Sequence, residues 1–176
     1  MSVSRTYGDA QPRASVRGVV FIHSCPRALA PHIEWTLANI LGPGARLAWI
    51  DQPIQTGSLR SELAWQSTPG TASAIASQLQ AFPGVRFEVT QEPTVSTEGE
   101  RYASTPRLGI FRAAMNHHGD IVVNEEQLRA ALLESQSGAD LPTLINNLMG
   151  AQWDEELEPF RYAGDGAPVR WVHAVG

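Results

Sequence analysis

The chain has 176 residues, and its 13 basic side chains, all arginine, stand against 18 acids for a net charge of −5. The arginines are scattered singly, whereas a nucleic-acid backbone or an anionic bilayer is held by a clustered basic face, so neither is an expected partner. The one cysteine, Cys25, can form no internal bridge, and no apolar run approaches the roughly 18 residues that span a bilayer; a protein of the cytoplasm is expected.

Residues 1–15 lack the apolar centre of a signal peptide and read as a disordered leader. Residues 17–23 (RGVVFIH) are apolar on both sides, the pattern of a strand covered on both faces. Ile33, Leu37, Ile40 and Leu41 then fall on one helical stripe, with Pro31 suited to a first turn and Gly42-Pro43-Gly44 as the stop. Residues 47–50 and 59–65 read as strands. In the second, Leu59, Ser61, Leu63 and Trp65 share one face and Arg60, Glu62 and Gln66 the other. A helix opens at Gly70-Thr71 with Ile75, Leu79 and Phe82 inward and ends at Pro83-Gly84. Val85, Phe87 and Val89 alternate with Arg86, Glu88 and Thr90 in a fourth strand.

This order is βαββαβ. It predicts an α+β protein whose residues 16–92 form a ferredoxin-like half, an antiparallel sheet of order 4-1-3-2 with two helices on one face. Residues 93–107, rich in Ser, Thr and Glu, read as a surface loop. Residues 108–176 form a C-terminal α+β half, expected to pack with the first as one compact unit. It begins with a hairpin turning at Asn116, His117, His118 and Gly119. A helix follows, opened by an Asn124/Gln127 capping box, with Leu128, Ala131, Leu132 and Ser135 inward. Asp140 caps another, with Leu141, Leu144, Ile145 and Leu148 inward. An acidic and aromatic segment, 153–162, opens a helix with Asp154, Glu155 and Glu156 in its first turn that Pro159 ends, and 169–173 form a final strand. The first strand needs cover on both faces, so Trp153, Leu157, Phe160 and Trp171 are expected on the face that the two helices leave open.

Three blocks, FIHSCPRALAPHIEW, GERYASTPRLGIF and WDEELEPFRYAGDGAPVRWVHAV, resemble the actinobacterial domain-of-unknown-function family 3145 from Arg17 onward. The resemblance implies a bacterial cytoplasmic protein. It brings no activity and no catalytic residues; the fatty-acid-synthesis genes found beside some relatives hint at a pathway, not a mechanism.

Several constellations carry chemistry. His23, Ser24 and Arg27, with His32 beyond, lie where the first strand meets a helix; amides there and the Arg27 fork suit an anion, and a helix N-terminus could depress the Cys25 pKa. They form the candidate ligand or anion site. Against it stands a packed turn with Cys25 as a small hydrophobe. His117 and His118 are adjacent, so strand geometry sends them to opposite faces, and no paired cysteine spacing accompanies them; no metal is expected there, and no cofactor anywhere. Trp153, Glu155, Phe160 and Arg161 have the residue types of a partner surface. Residues 59–66 lack the basic, glycine and aromatic motif of an RNA-recognition strand, and 141–149 carry no base for a DNA-reading helix.

No phosphate loop, dinucleotide fingerprint or nucleophile elbow is present. The expected function is therefore a non-enzymatic binding or regulatory module, docking on a partner protein or a small effector. The competing expectation is a small enzyme with a dispersed site at the end of the first strand, acting on an acidic or thioester-type metabolite. The sequence leaves the oligomeric state open.

Overall fold

The computed structural model describes residues 15–162. The leader expected over 1–15, apart from Ser15, the final strand at 169–173 and Trp171 lie outside the described residues. In chain order the elements are β1 (Val16–Pro26), a 3₁₀ turn (Arg27–Leu29), α1 (Ala30–Leu41), β2 (Ile50–Asp51), β3 (Ser58–Ser67), α2 (Thr71–Leu79) and β4 (Arg86–Gln91). They continue with β5 (Gly99–Thr105), β6 (Gly109–Met115), β7 (Ile121–Val122), α3 (Glu125–Gln136), α4 (Leu141–Leu148) and α5 (Ala151–Arg161).

The strands form one seven-stranded antiparallel sheet of order β2-β3-β1-β4-β5-β6-β7. Val16, Val20 and Ile22 of β1, Leu59 and Trp65 of β3, and Phe87 and Val89 of β4 point to one face, as strand alternation requires. There they meet Ile33 and Leu37 of α1 and Ile75 and Leu79 of α2 in the main core. Nine of these side chains, all but Leu59 and Trp65, are among the largest that are fully buried. At roughly 1.5–3 kcal/mol for each fully buried side chain of this size, the core is the chief source of stability. α1 has its proline in the first turn and α2 starts from Gly70 at φ +89°, a left-handed conformation that glycine adopts without penalty.

α5 lies on the opposite face of the sheet, where Val19 and Phe21 of β1 are half-buried. Leu157 is fully buried there against Ala103, Phe111 and Ala113, with Trp153 packed on the same cluster. The Trp153 ring lies 5.1 Å from that of Phe111 and its Nε1 donates to the Gly109 carbonyl at 3.0 Å.

The structure departs from the sequence expectations at five places. Residues 93–107 are not a loop throughout: 99–105 form β5, inside the sheet between β4 and β6. Its buried Ser104 and Thr105 look like loop residues, but they are small enough to sit in a packed sheet, and Arg101 looks exposed until its ion partners are in place. The C-terminal hairpin therefore extends the first sheet instead of packing onto it. Residues 47–50 contribute only Ile50 to a ladder, and the Ala48 carbonyl accepts instead from the Ser61 hydroxyl at 3.0 Å. Pro159 lies inside α5 instead of ending it. The carbonyl that it frees is that of Glu155, and both residues are exposed, so the break costs no buried hydrogen bond. In α3 only Ala131 is buried and in α4 no residue is; Leu128 and Leu132, expected inward, are 38% and 51% exposed.

Candidate functional site

The site is built where β1 breaks its alternation. Between Ile22 and Cys25 the register slips against both β3 and β4, a β-bulge that turns two successive residues to one side. His23 and Ser24 thus both face α5, and Cys25 returns to the main core. Cross-strand pairing puts Glu88 of β4 opposite Phe21, and Ala103 of β5 opposite Glu88. Arg101 shares that face. Helical spacing puts Asp154, Leu157 and Arg161 of α5 on one stripe above them.

Five charged or titratable side chains meet beneath the helix. Arg161 grips Glu88 with two hydrogen bonds, Nε to Oε2 at 2.9 Å and Nη2 to Oε1 at 2.7 Å. Arg101 donates to Glu88 Oε1 through Nε at 3.1 Å and Nη2 at 2.7 Å. His23 Nε2 lies 2.6 Å from Glu88 Oε2, its ring stacked on Phe21. Asp154 closes the set, accepting from Arg161 Nη2 at 2.7 Å and from both terminal nitrogens of Arg101. The Glu88 and His23 side chains are 9% and 6% exposed, and Arg101 and Arg161 little more.

Two carboxylates and two guanidiniums cancel. Burial alone would push the Glu88 pKa up, but Arg101, His23 and Arg161 together hold it well below the usual carboxylate range. The same ion pairs raise both guanidinium pKa values against the opposing effect of burial. An ionised Glu88 can only accept, so His23 Nε2 is the donor of this hydrogen bond. This His–Glu pair is the one arrangement here with the form of a general base and its orienting carboxylate.

A second polar layer adjoins it. Ser24 Oγ and Arg86 Nη1 both donate to Gln55 Oε1, at 2.7 and 3.1 Å. Gln52 Nε2 donates to the His23 carbonyl at 2.6 Å. The Arg86 guanidinium sits 4.5 Å over the Phe160 ring and pairs with Glu156 at 3.8 Å. Glu156 also accepts from Arg107 Nε at 3.0 Å.

Of the expected ligand site, His23 and Ser24 come together under α5. Arg27 and His32 lie beyond the end of β1: Arg27 is exposed and ion-paired with Asp51, and His32 is exposed on α1. Cys25 is fully buried and burial pushes its pKa up to about 11, the reverse of the depressed thiol that a helix N-terminus could have given. Of the expected partner surface, Trp153, Phe160 and Arg161 turn toward the sheet and Glu155 faces solvent. His117 and His118 are exposed at the hairpin tip, where Asn116 Oδ1 accepts from the His118 and Asp120 amides. Among the described residues no group of three or more His, Cys, Asp or Glu could hold a metal, and no helix is long and apolar enough to cross a membrane. A cleft of 340 Å³ opens between the loop before β5 and the β6–β7 turn, with Glu98 and His117 its only ionisable side chains.

Sequence reading missed Glu88, Arg101 and Asp154. The available signal was an acid at the centre of a strand, Glu88 between Phe87 and Val89, in a chain rich in arginine.

A family model described as protein of unknown function (DUF3145) matches residues 19–174. No curated protein and no solved structure matches the chain.

Proposed function

Since the chain belongs to that family of unknown function, we propose its role from its own side chains: a non-enzymatic binding module of the cytoplasm that docks on a partner protein. One observation carries this reading. The α3–α4 hairpin gives a single buried residue, Ala131, to the fold, while Leu128, Leu132, Leu133 and the neighbouring Met149 are 38–64% exposed. Apolar side chains left in water at this density on one element are characteristic of docking surfaces. The ionic cluster fits a structural task beside it. Its charges balance, and it seats α5 on the sheet. The four N-terminal strands with α1 and α2 form, on this reading, a ferredoxin-like unit extended by β5–β7, and the chain comes from an actinobacterium.

Photo-crosslinking from Leu132 in cells that express the full chain tests the reading. A discrete protein adduct from Leu132, lost when Leu128 and Leu133 are changed to Ser and unaffected by His23→Asn, supports it. Crosslinks indistinguishable from those of a probe at Ser73, an exposed position of α2, would refute it.

The His23–Glu88 pair favours a second reading, an enzyme acting on an acidic or thioester-type metabolite with His23 as base. The 340 Å³ cleft is lined by none of His23, Ser24, Arg27 or His32, which weighs toward the module. A small effector in that cleft is compatible with the module.

A further inference from the structure

α5 covers the second face of the sheet over β5 and β6. Nearer β2, that face carries Val19 and Phe21 of β1. Ala64 of β3 is paired opposite Val19, and Ile50 of β2 stands at the edge opposite Arg60. Val19 and Phe21 are half-buried, Ala64 and Ile50 are exposed, and none of the four belongs to either apolar cluster of the described residues. Two polar atoms of the same face, Thr90 Oγ1 opposite Val19 and Arg60 Nη1, are buried without a hydrogen-bond partner among the described residues. Buried polar groups are nearly always satisfied, so this strip suits an occupant with both apolar side chains and hydrogen-bonding groups.

We propose that residues 163–176, which follow α5 and lie outside the described residues, dock on this strip, with Val169 and Trp171 against Val19 and Phe21 and backbone groups toward Thr90 and Arg60. The segment starts beside the strip. Arg161, two residues before it, is bonded to Glu88, which stands opposite Phe21 in the ladder, and the Phe160 carbonyl accepts from Gln52 Nε2 at 3.5 Å next to β2. Its reach is ample: its fourteen residues extend to about 45 Å, and β4 and β2 lie three strand spacings apart, about 15 Å. Gly164 and Gly166 let the chain turn back at its start. The family model runs to residue 174, so the segment belongs to the same domain as β1. A tether this short gives an effective concentration in the mM range, which favours the segment over a second copy or a diffusing partner of the same composition. Because α5 takes the face over β5 and β6, the expectation for Trp171 narrows to the strip over β1 and β3. The inference is independent of the binding-module reading and of α3.

The test uses the full-length protein. A benzophenone amino acid in place of Trp171 should, on irradiation, crosslink within the same chain to residues 17–21 or 60–64, read by mass spectrometry of the digested monomer. Trp171→Ala and Phe21→Ala should each lower the melting temperature by about 4–8 °C, and together by clearly less than the sum, because the two side chains share one contact. Trp171→Ala and Leu132→Ala, which share none, should be additive. Adducts concentrated on α3 or α4, adducts formed only between two copies of the chain, strictly additive losses for Trp171 and Phe21, or coupling of Trp171 to Leu132 would each overturn the proposal. So would an unchanged melting temperature in Trp171→Ala together with capture of a different protein by the benzophenone, which would put a partner on the strip instead.

Discussion

Arg161 and Glu88 stand 73 positions apart in the chain and meet in two hydrogen bonds, at 2.9 and 2.7 Å, beneath α5. The pair fixes the last turn of α5 over the centre of the sheet, with Arg101, His23 and Asp154 completing the shell. Removing one partner from a buried ion pair leaves an uncompensated charge, which costs more than the pair itself contributes.

The Glu88 carboxylate should therefore control acid stability. Its folded pKa lies well below the ordinary 4.5, so between those values the unfolded chain binds the proton and the folded one does not. Its contribution is present above about pH 4.5 and is lost as the pH falls through the folded value. Glu88→Gln should lower stability at pH 7 by about 3 kcal/mol and flatten the acid limb of the stability curve. Urea titrations from pH 3 to 7 measure both; an acid limb as steep as that of the parent protein would contradict this role.

Cys25 should be inert while the protein is folded. Its pKa rises from 9.0 to about 11 through burial, so from pH 9 upward the unfolded thiol ionises while the folded one keeps its proton. Stability is whole below pH 9 and declines toward pH 11 by about 2–3 kcal/mol. Labelling by a thiol reagent at pH 8 should track global unfolding, and Cys25→Ala should abolish this component of the alkaline decline. Rapid labelling of the native protein would show the thiol to be accessible.

Gly18 is required by the approach of two neighbours. A Cβ there would lie 1.9 Å from the Thr90 carbonyl oxygen and 2.4 Å from the Trp65 ring. Trp65 is opposite Gly18 in the ladder and covers the space that a side chain would fill. The obstructing carbonyl belongs to the adjacent strand, so Gly18→Ala must displace backbone. We expect a loss of about 3 kcal/mol and a melting temperature lowered by roughly 6–12 °C. A calorimetric shift below 2 °C would rule out this packing.

The capping box of α3 should act locally. Asn124 accepts from the Gln127 amide at 2.9 Å, and the Gln127 side chain accepts in return from the Asn124 amide at 3.1 Å. Asn124→Ala should cost α3 about 1 kcal/mol. With only Ala131 anchoring the helix, this loss should appear as roughly fivefold faster amide exchange within α3 and little change in global melting. A large fall in global stability would mean that α3 is integral to the core.

The sequence by itself determined the local elements whose signals are short-range. The β1 run, the α1 and α2 stripes, the alternation around Phe87 and Val89 and the Asn124–Gln127 box depend on spacing within one or two turns or pleats, and all are legible without knowing what packs on them. Tertiary structure decided the rest. β5 was hidden because Arg101 reads as a solvated residue until Glu88 and Asp154 neutralise it in the interior. The bulge that turns His23 and Ser24 together is set by pairing with two different strands at once. The site lay across four elements, β1, β4, β5 and α5, joined by Coulomb attraction between residues up to 73 positions apart, and no local pattern encodes a partner at that distance. Leu128 and Leu132 show the converse. Helical periodicity placed them on one face, but whether a face is buried depends on what the fold brings against it, and here it brings only enough to cover Ala131.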